Sequence, residues 1–296
     1  MPPAPSTVPR MRALTKANLR HLLLFLKLGR NPAARVYDSI GPDFFLAPAP
    51  GWLNLGLWEG DARSEDPLVA VRRLVTRIAA ALPKNATILD VGNGLGAQDP
   101  VIAEVAQPRA LIAMNITRSQ LVAGKARLED AGASALNADA TRIPLASNSV
   151  DGVISVEAAF HFPSRRQFFA EVMRVLRPGG VLTMSDVGAE RAPRTPGEIV
   201  AGITNLRVWG LKARNMISAN DILSLVRAAG FADAAMERCT DRTLEPAIVF
   251  MRSKLDDSKD APWPHRLGAR VLTDQWELLN RRGLIEYVLI AARKPH

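Results

Sequence analysis

Short apolar runs alternate with stretches of helical period along most of this chain. Ala86-Thr87-Ile88-Leu89, Ala110–Met114, Ala133–Asn137, Gly152–Val156, Val181–Ser185, Ala232–Cys239 and Leu284–Ile290 read as strands. Asp66–Leu82 reads as a helix, with Asp66 as N-cap, Pro67 at the first position and Leu68, Val71, Leu74, Val75 and Ile78 on its apolar face. Ala97–Gln107 and Ser119–Ala131 read the same way. A further helix opens at Pro163-Ser164, carries Phe168, Phe169, Val172 and Leu176, and stops at Arg177-Pro178-Gly179-Gly180. Ser218-Ala219-Asn220-Asp221 is a capping box before Ile222–Ala229, and 245–255 and 271–281 complete the helices. Glu190–Arg214, of mixed polarity, reads as an insertion over the mouth of a site. Lys254–Lys259, with Pro262 and Pro264, reads as an exposed loop. Strands alternating with helices predict an α/β sheet.

The chain is organised around Leu89-Asp90-Val91-Gly92-Asn93-Gly94-Leu95-Gly96. A strand that empties into a glycine-rich turn and then a helix is a ligand-binding corner of such a sheet. Glycine lets the backbone turn tightly and lets a ligand approach where a Cβ would block it. The helix N-terminus adds free N–H groups and partial positive charge. The spacing is Asp-x-Gly-x-Gly-x-Gly, not the Gly-x-Gly-x-x-Gly of dinucleotide enzymes. The second strand ends at Asn115, where a nicotinamide enzyme wants a carboxylate for the ribose diol.

Charge changes the picture only at one end. The chain has a formal charge of +9, but residues 1–37 hold seven Lys/Arg and no acid. The other 259 residues carry 31 basic and 29 acidic side chains, which argues against a nucleic-acid role for the body. Met1–Pro9 reads as a tail, and residues 10–30 as a basic amphipathic helix. Arg12, Lys16, Arg20, Lys27 and Arg30 fall on one side, and Met11, Leu14, Leu22, Phe25 and Leu26 on the other. Such a helix suits a lid packed on the domain, a peripheral membrane contact or a targeting segment. Residues 1–36 are therefore set apart from a domain spanning 37–296. Cys239 is the only cysteine, so no intramolecular disulfide or cysteine-based zinc site can form and a cytoplasmic setting is expected. No metal centre is expected, and the sequence assigns no oligomeric state.

Five elements in order resemble the class I S-adenosylmethionine (SAM) methyltransferases, of the small-molecule and lipid natural-product type. The glycine turn resembles their motif I. Asn115-Ile116-Thr117-x-x-Gln120 resembles a variant of the ribose-binding strand end. Asp139-Ala140-Thr141-x-x-Pro144 is similar to the adenine loop, Glu157 follows the fourth strand, and Phe169–Gly180 resembles the post-I motif. Tyr37-Asp38 with Asp43-Phe44-Phe45 resembles the entrance segment of cyclopropane and mycolic-acid methyltransferases, and Asn54-x-Gly56-x-Trp58 the segment before the core in natural-product enzymes. The resemblance implies a Rossmann-like doubly wound seven-stranded sheet of order 3-2-1-4-5-7-6, with an N-terminal helical lid and a lid insertion after strand 5.

It also implies a cofactor site made of Tyr37, Asp90, Gly92, Asn93, Gly94, Asn115, Ile116, Gln120, Asp139, Ala140 and Glu157. For Asp139 the alternative is an ordinary turn acid. His161, at the carboxyl end of strand four, is the candidate general base, with Asp186 orienting its ring as in a Ser-His-Asp triad. The alternative is that His161 only packs against the cofactor and methyl transfer proceeds by proximity. The expected acceptor is a small or lipid-like molecule methylated at oxygen. C-methylation or cyclopropanation of a lipid, and a non-catalytic interaction protein of the same fold, stand beside that reading. Val156-Glu157-Ala158-Ala159 departs from the Asn/Asp-Pro-Pro-aromatic box of nucleobase amino-methyltransferases.

Overall fold

The computed structural model describes residues 47–258 and 263–296. The basic segment 1–36, Tyr37 and Asp43-Phe44-Phe45 lie outside the described residues. In chain order the elements are α1 (Pro67–Ala79), β1 (Thr87–Val91), α2 (Asp99–Ala106), β2 (Ala110–Asn115), α3 (Arg118–Ala123), α4 (Lys125–Asp130), β3 (Ala133–Asn137), β4 (Val150–Ser155), α5 (Arg165–Val175), β5 (Leu176–Ala189), α6 (Pro196–Val208), α7 (Ala219–Ala228), β6 (Ala232–Arg238), α8 (Leu244–Asp257), α9 (Trp263–Arg281) and β7 (Ile285–Arg293).

The strands form one seven-stranded sheet of order β3-β2-β1-β4-β5-β7-β6, as the resemblance implies. β1 to β5 run parallel, and β7 runs antiparallel to β5 and β6. Side chains alternate across the sheet with a period of two. Leu89, Val153, Leu182 and Val288 pack on one face with Phe168, Phe169 and Val172 of α5 and Ile222 and Val226 of α7. Ile88, Ile154, Tyr287 and Leu289, their neighbours in sequence, face Val71, Leu74, Val75 and Ile78 of α1 and Val101 and Ile102 of α2. Burial on both faces is why these strands read as unbroken apolar runs. Asp66 caps α1 by accepting from Leu68 N–H, and Ser218 and Asp221 form the expected box at α7.

Four elements differ from the pattern reading. The helix expected over Ser119–Ala131 breaks into α3 and α4 at Gly124, because the chain there presses on the glycine turn. A Cβ on Gly124 would lie 2.6 Å from the Leu95 carbonyl oxygen. β5 begins at Leu176 and absorbs Arg177-Pro178-Gly179-Gly180 at an irregularity in its pairing with β4. It then runs on to Ala189, so Asp186 lies within the strand and not at its end. α9 starts at Trp263, with Pro264 in the first turn, where a missing N–H costs nothing. Within 190–214 lies α6, with a Thr195–Glu198 capping box. α6 packs on α9 through Ala201 and Leu279, and Asn205 bonds Gln275 and Trp276.

Candidate active site

The glycine corner is built by backbone geometry. Gly92, Gly94 and Gly96 have φ of 83°, 58° and 77°, and Gly92 N–H donates to the Met114 carbonyl at the end of β2 at 2.7 Å. A Cβ on Gly92 would come within 2.5 Å of the Ala158 Cβ, so the turn lies against the tip of β4. Beneath it, Asp90 Oδ2 accepts from Gln98 Nε2 at 2.6 Å and Asn93 Nδ2 donates to Asp99 Oδ2 at 3.2 Å. Asp90 Oδ1, Asn93 Oδ1 and Asp99 Oδ1 are buried and accept from no described residue. Burial, then the charge of Asp99, holds the Asp90 carboxyl well above the usual carboxylate range, and burial pushes Asp99 up to about 7. Asp99 was missed in the sequence, where an acid in a first helical turn reads as an ordinary dipole partner.

At the tips of β2 and β3 the side chains lock one another. Asn115 Oδ1 accepts from Thr117 N–H at 2.9 Å, while Nδ2 donates to the Gly94 carbonyl at 3.1 Å and to Gln120 Oε1 at 3.0 Å. The Asn115 donors are thus spent inside the protein, and what remains for a ligand is the Oδ1 lone pair and the Gln120 amide N–H₂. Ile116 is partly exposed beside them. Asn137, which the sequence reading passed over, braces both by donating to the Asn115 and Ile116 carbonyls. Asp139 Oδ1 accepts from Thr141 N–H and Oγ1, both at 2.8 Å, so this one oxygen closes a turn. Its Oδ2 takes part in neither bond, and Ala140, the next residue, is buried.

Glu157, just past β4, has φ of +49°, a strained backbone for a side chain of its size. Its N–H donates to Ser185 Oγ, and its Oε1 accepts from Leu55 N–H at 2.8 Å and from Tyr287 Oη at 2.7 Å. Glu157 therefore ties the segment 54–58 to β7, and burial lifts its carboxyl to about 7 despite those two bonds. His161 ends a short turn, Ala159–His161, and its Nδ1 lies 3.1 Å from the Trp209 carbonyl oxygen. A carbonyl only accepts, so Nδ1 carries the proton and Nε2 presents a lone pair. Burial, with the charge of Arg165 beside it, takes the imidazole pKa down to about 3, against the Trp209 bond. The ring is neutral across the physiological range.

The structure corrects one expectation outright. Asp186 does not orient His161. Its Oδ2 and Oδ1 accept from Arg165 Nε at 2.8 Å and Nη2 at 2.9 Å, and Oδ1 also accepts from Val187 N–H. The orienting group is the Trp209 carbonyl, just past α6.

A methyltransferase-domain family model matches residues 89–184. The chain is 27% identical to an erythromycin 3''-O-methyltransferase of Saccharopolyspora erythraea, over 89% of this chain and 90% of that one. It is 26% identical to a 27-O-demethylrifamycin SV methyltransferase of Amycolatopsis mediterranei, over 82% and 90%. This chain is a SAM-dependent methyltransferase. In fold it is similar to the cyclopropane synthase MmaA2 of Mycobacterium tuberculosis, with a TM-score of 0.75 over 91% of this chain and 98% of that one, at 17% identity.

The corner of the methyltransferase fits its cofactor. The glycine turn leaves a cradle that a Cβ at Gly92 would disturb, and three buried oxygens with no donor among the described residues suit the cationic amino-acid part of SAM. Those acids also make the protein pH-sensitive. The folded state holds a proton at Asp99 up to about pH 7, which the unfolded chain releases near an ordinary pKa of about 3.9. Folded stability therefore falls as pH rises from about 4 to about 7, by up to about 4 kcal/mol for this group. Asp99→Asn is expected to flatten that slope and raise the melting temperature at pH 8 relative to the parent. Parallel melting curves of the two proteins from pH 5 to 8 would contradict it.

Proposed function

We propose that this methyltransferase moves the methyl group of SAM to a hydroxyl of a natural product, of the macrolide, ansamycin or glycolipid kind, with His161 as general base. One observation carries the reading: a buried, neutral imidazole at the β4 tip, fixed by the Trp209 carbonyl so that Nε2 is the acceptor nitrogen. The names of the relatives, O-methylating enzymes of a macrolide and a rifamycin, support it.

Bound SAM supplies a sulfonium methyl already activated for displacement. What falls to the chain is to hold the acceptor oxygen in line and to take one proton. A base with a pKa of about 3 is weak, but the hydroxyl proton becomes strongly acidic as its oxygen bonds to carbon. A weak base already in place then suffices. The cofactor's amino-acid end is assigned to Asp90, Gly92, Asn93 and Gly94, and Tyr37 is assigned to the cofactor on the family resemblance alone. The ribose is assigned to Asn115, Ile116 and Gln120, the adenine to Asp139 and Ala140, and Glu157 Oε2 to the methionine or acceptor side. Residues 37–296 make up the domain. For the basic segment 10–30 the proposed roles are a lid on the domain or, where the acceptor is a lipid, a peripheral membrane contact. No helix among the described residues is long and apolar enough to cross a membrane.

The test is incubation with [methyl-¹³C]SAM and a panel of macrolides and ansamycins each lacking one O-methyl group. A labelled methyl on oxygen is the expected product. A methyl on carbon, or none transferred to any hydroxylated acceptor, overturns the reading.

A further inference from the structure

Arg165, the first residue of α5, is only 1% exposed. A guanidinium buried so completely needs its donors answered. Besides its two bonds to Asp186, its Nη2 donates to the Val187 carbonyl at 3.0 Å and its Nη1 to the Asn215 carbonyl. Asn215, itself buried, returns a bond from Nδ2 to the Phe162 carbonyl at 2.5 Å. Arg214 donates twice to the Pro163 carbonyl, at 2.9 and 2.6 Å. With His161 Nδ1 on the Trp209 carbonyl, the segment 209–215 descending from α6 is stitched to the turn 161–163 residue by residue. Arg165 ties the Asn215 end of that segment to Asp186 and Val187 of β5.

We propose that Arg165 is the positioning residue for His161: its fork of donors brackets to β5 the limb descending from α6, which itself carries the bonds to the His161 turn, and Asp186 serves the fork as anchor. A buried ion pair is weak evidence for stability, since apolar replacements of both partners are often neutral. The planar fork explains the choice better, because one guanidinium reaches the limb and two residues of β5 at fixed angles and an ammonium does not. α6 then cannot lift at its carboxyl end without turning the imidazole. The inference rests on the reading of His161 as base for its catalytic consequence, and on geometry alone for the bracket.

The test uses the full-length protein saturated with S-adenosylhomocysteine, labelled with ¹⁵N in its histidine rings. The parent is expected to show His161 in a single neutral form protonated at Nδ1. Arg165→Lys is expected to show both neutral forms, with kcat down by about 10²-fold and KM for SAM unchanged. Asp186→Asn keeps an acceptor for the fork and is expected to lose less. Because a lone Asp186 charge endangers folding, the paired change Arg165→Met with Asp186→Leu removes the bridge without leaving a buried charge, and is expected to lose the single ring form as well. A folded paired variant with the parent ring spectrum and kcat, or an Asp186→Asn loss exceeding that of Arg165→Lys, overturns the proposal. If His161→Ala retains turnover, the general-base reading fails, while the ring spectrum still reports on the bracket.

Discussion

Replacing His161 with alanine is expected to lower kcat by about 10²- to 10⁴-fold, the range a positioned general base contributes, with SAM affinity by calorimetry unchanged. The two readouts separate because the ring lies past the β4 tip, while the residues proposed for the amino-acid end, ribose and adenine lie on the glycine turn and at the ends of β2 and β3. If His161 only packs and transfer proceeds by proximity, kcat survives and the base is elsewhere. The pH behaviour sharpens the test. With a folded pKa of about 3, His161 is never protonated between pH 5 and 8, so kcat/KM has no acid limb from this residue. Stability carries the opposite signature. Below about pH 6.5 the unfolded chain takes up a proton that the folded ring refuses, so stability is lost as pH falls toward the folded pKa. His161→Ala removes that loss. Its melting temperature is expected to fall less steeply than the parent's from pH 6 to pH 4, even where the cavity lowers the absolute value. An acid limb in kcat/KM that vanishes with His161 would contradict the depressed pKa.

The features read correctly in the sequence are those decided within one element. Strand runs, the Asp66 and Ser218 caps and the glycine turn depend on residues a few positions apart, and the sheet order came with the family likeness those motifs carry. What escaped is decided between elements. The Trp209 carbonyl meets His161 across 48 residues, and Glu157 meets Leu55 and Tyr287 across 102 and 130. Asp186 looked like a partner for His161 because both were placed at strand ends. β5 continues past it, and the arginine four residues after His161 captures both of its oxygens. Gly124 had the composition of any helical glycine, and only the Leu95 carbonyl against it shows why the helix breaks there. The likeness of Asn115 to a ribose-binding strand end says nothing of its amide donors, and the folded chain uses both of them itself.

Gly92→Ala is expected to damage cofactor binding and stability together, by a route that a second glycine isolates. Alanine at φ of 83° costs about 1–2 kcal/mol in backbone strain wherever it occurs. At Gly92 the new Cβ also meets the Ala158 Cβ at 2.5 Å, a distance that forces movement. The yielding side is the tip of β4, already strained at Glu157 and continuous with the His161 turn. Overpacking of this kind adds about 1–3 kcal/mol, and the displacement falls on the cofactor corner. SAM affinity is therefore expected to drop by about 10- to 100-fold, the equivalent of about 1.4 to 2.8 kcal/mol. Gly132 has φ of 63° but nothing within 4 Å of its would-be Cβ. Gly132→Ala is thus expected to carry the backbone strain alone, with a lower melting temperature and unaltered SAM affinity. Equal affinities for the two variants would mean that the β4 tip gives way freely, and that the contact between Gly92 and Ala158 does not shape the cofactor corner.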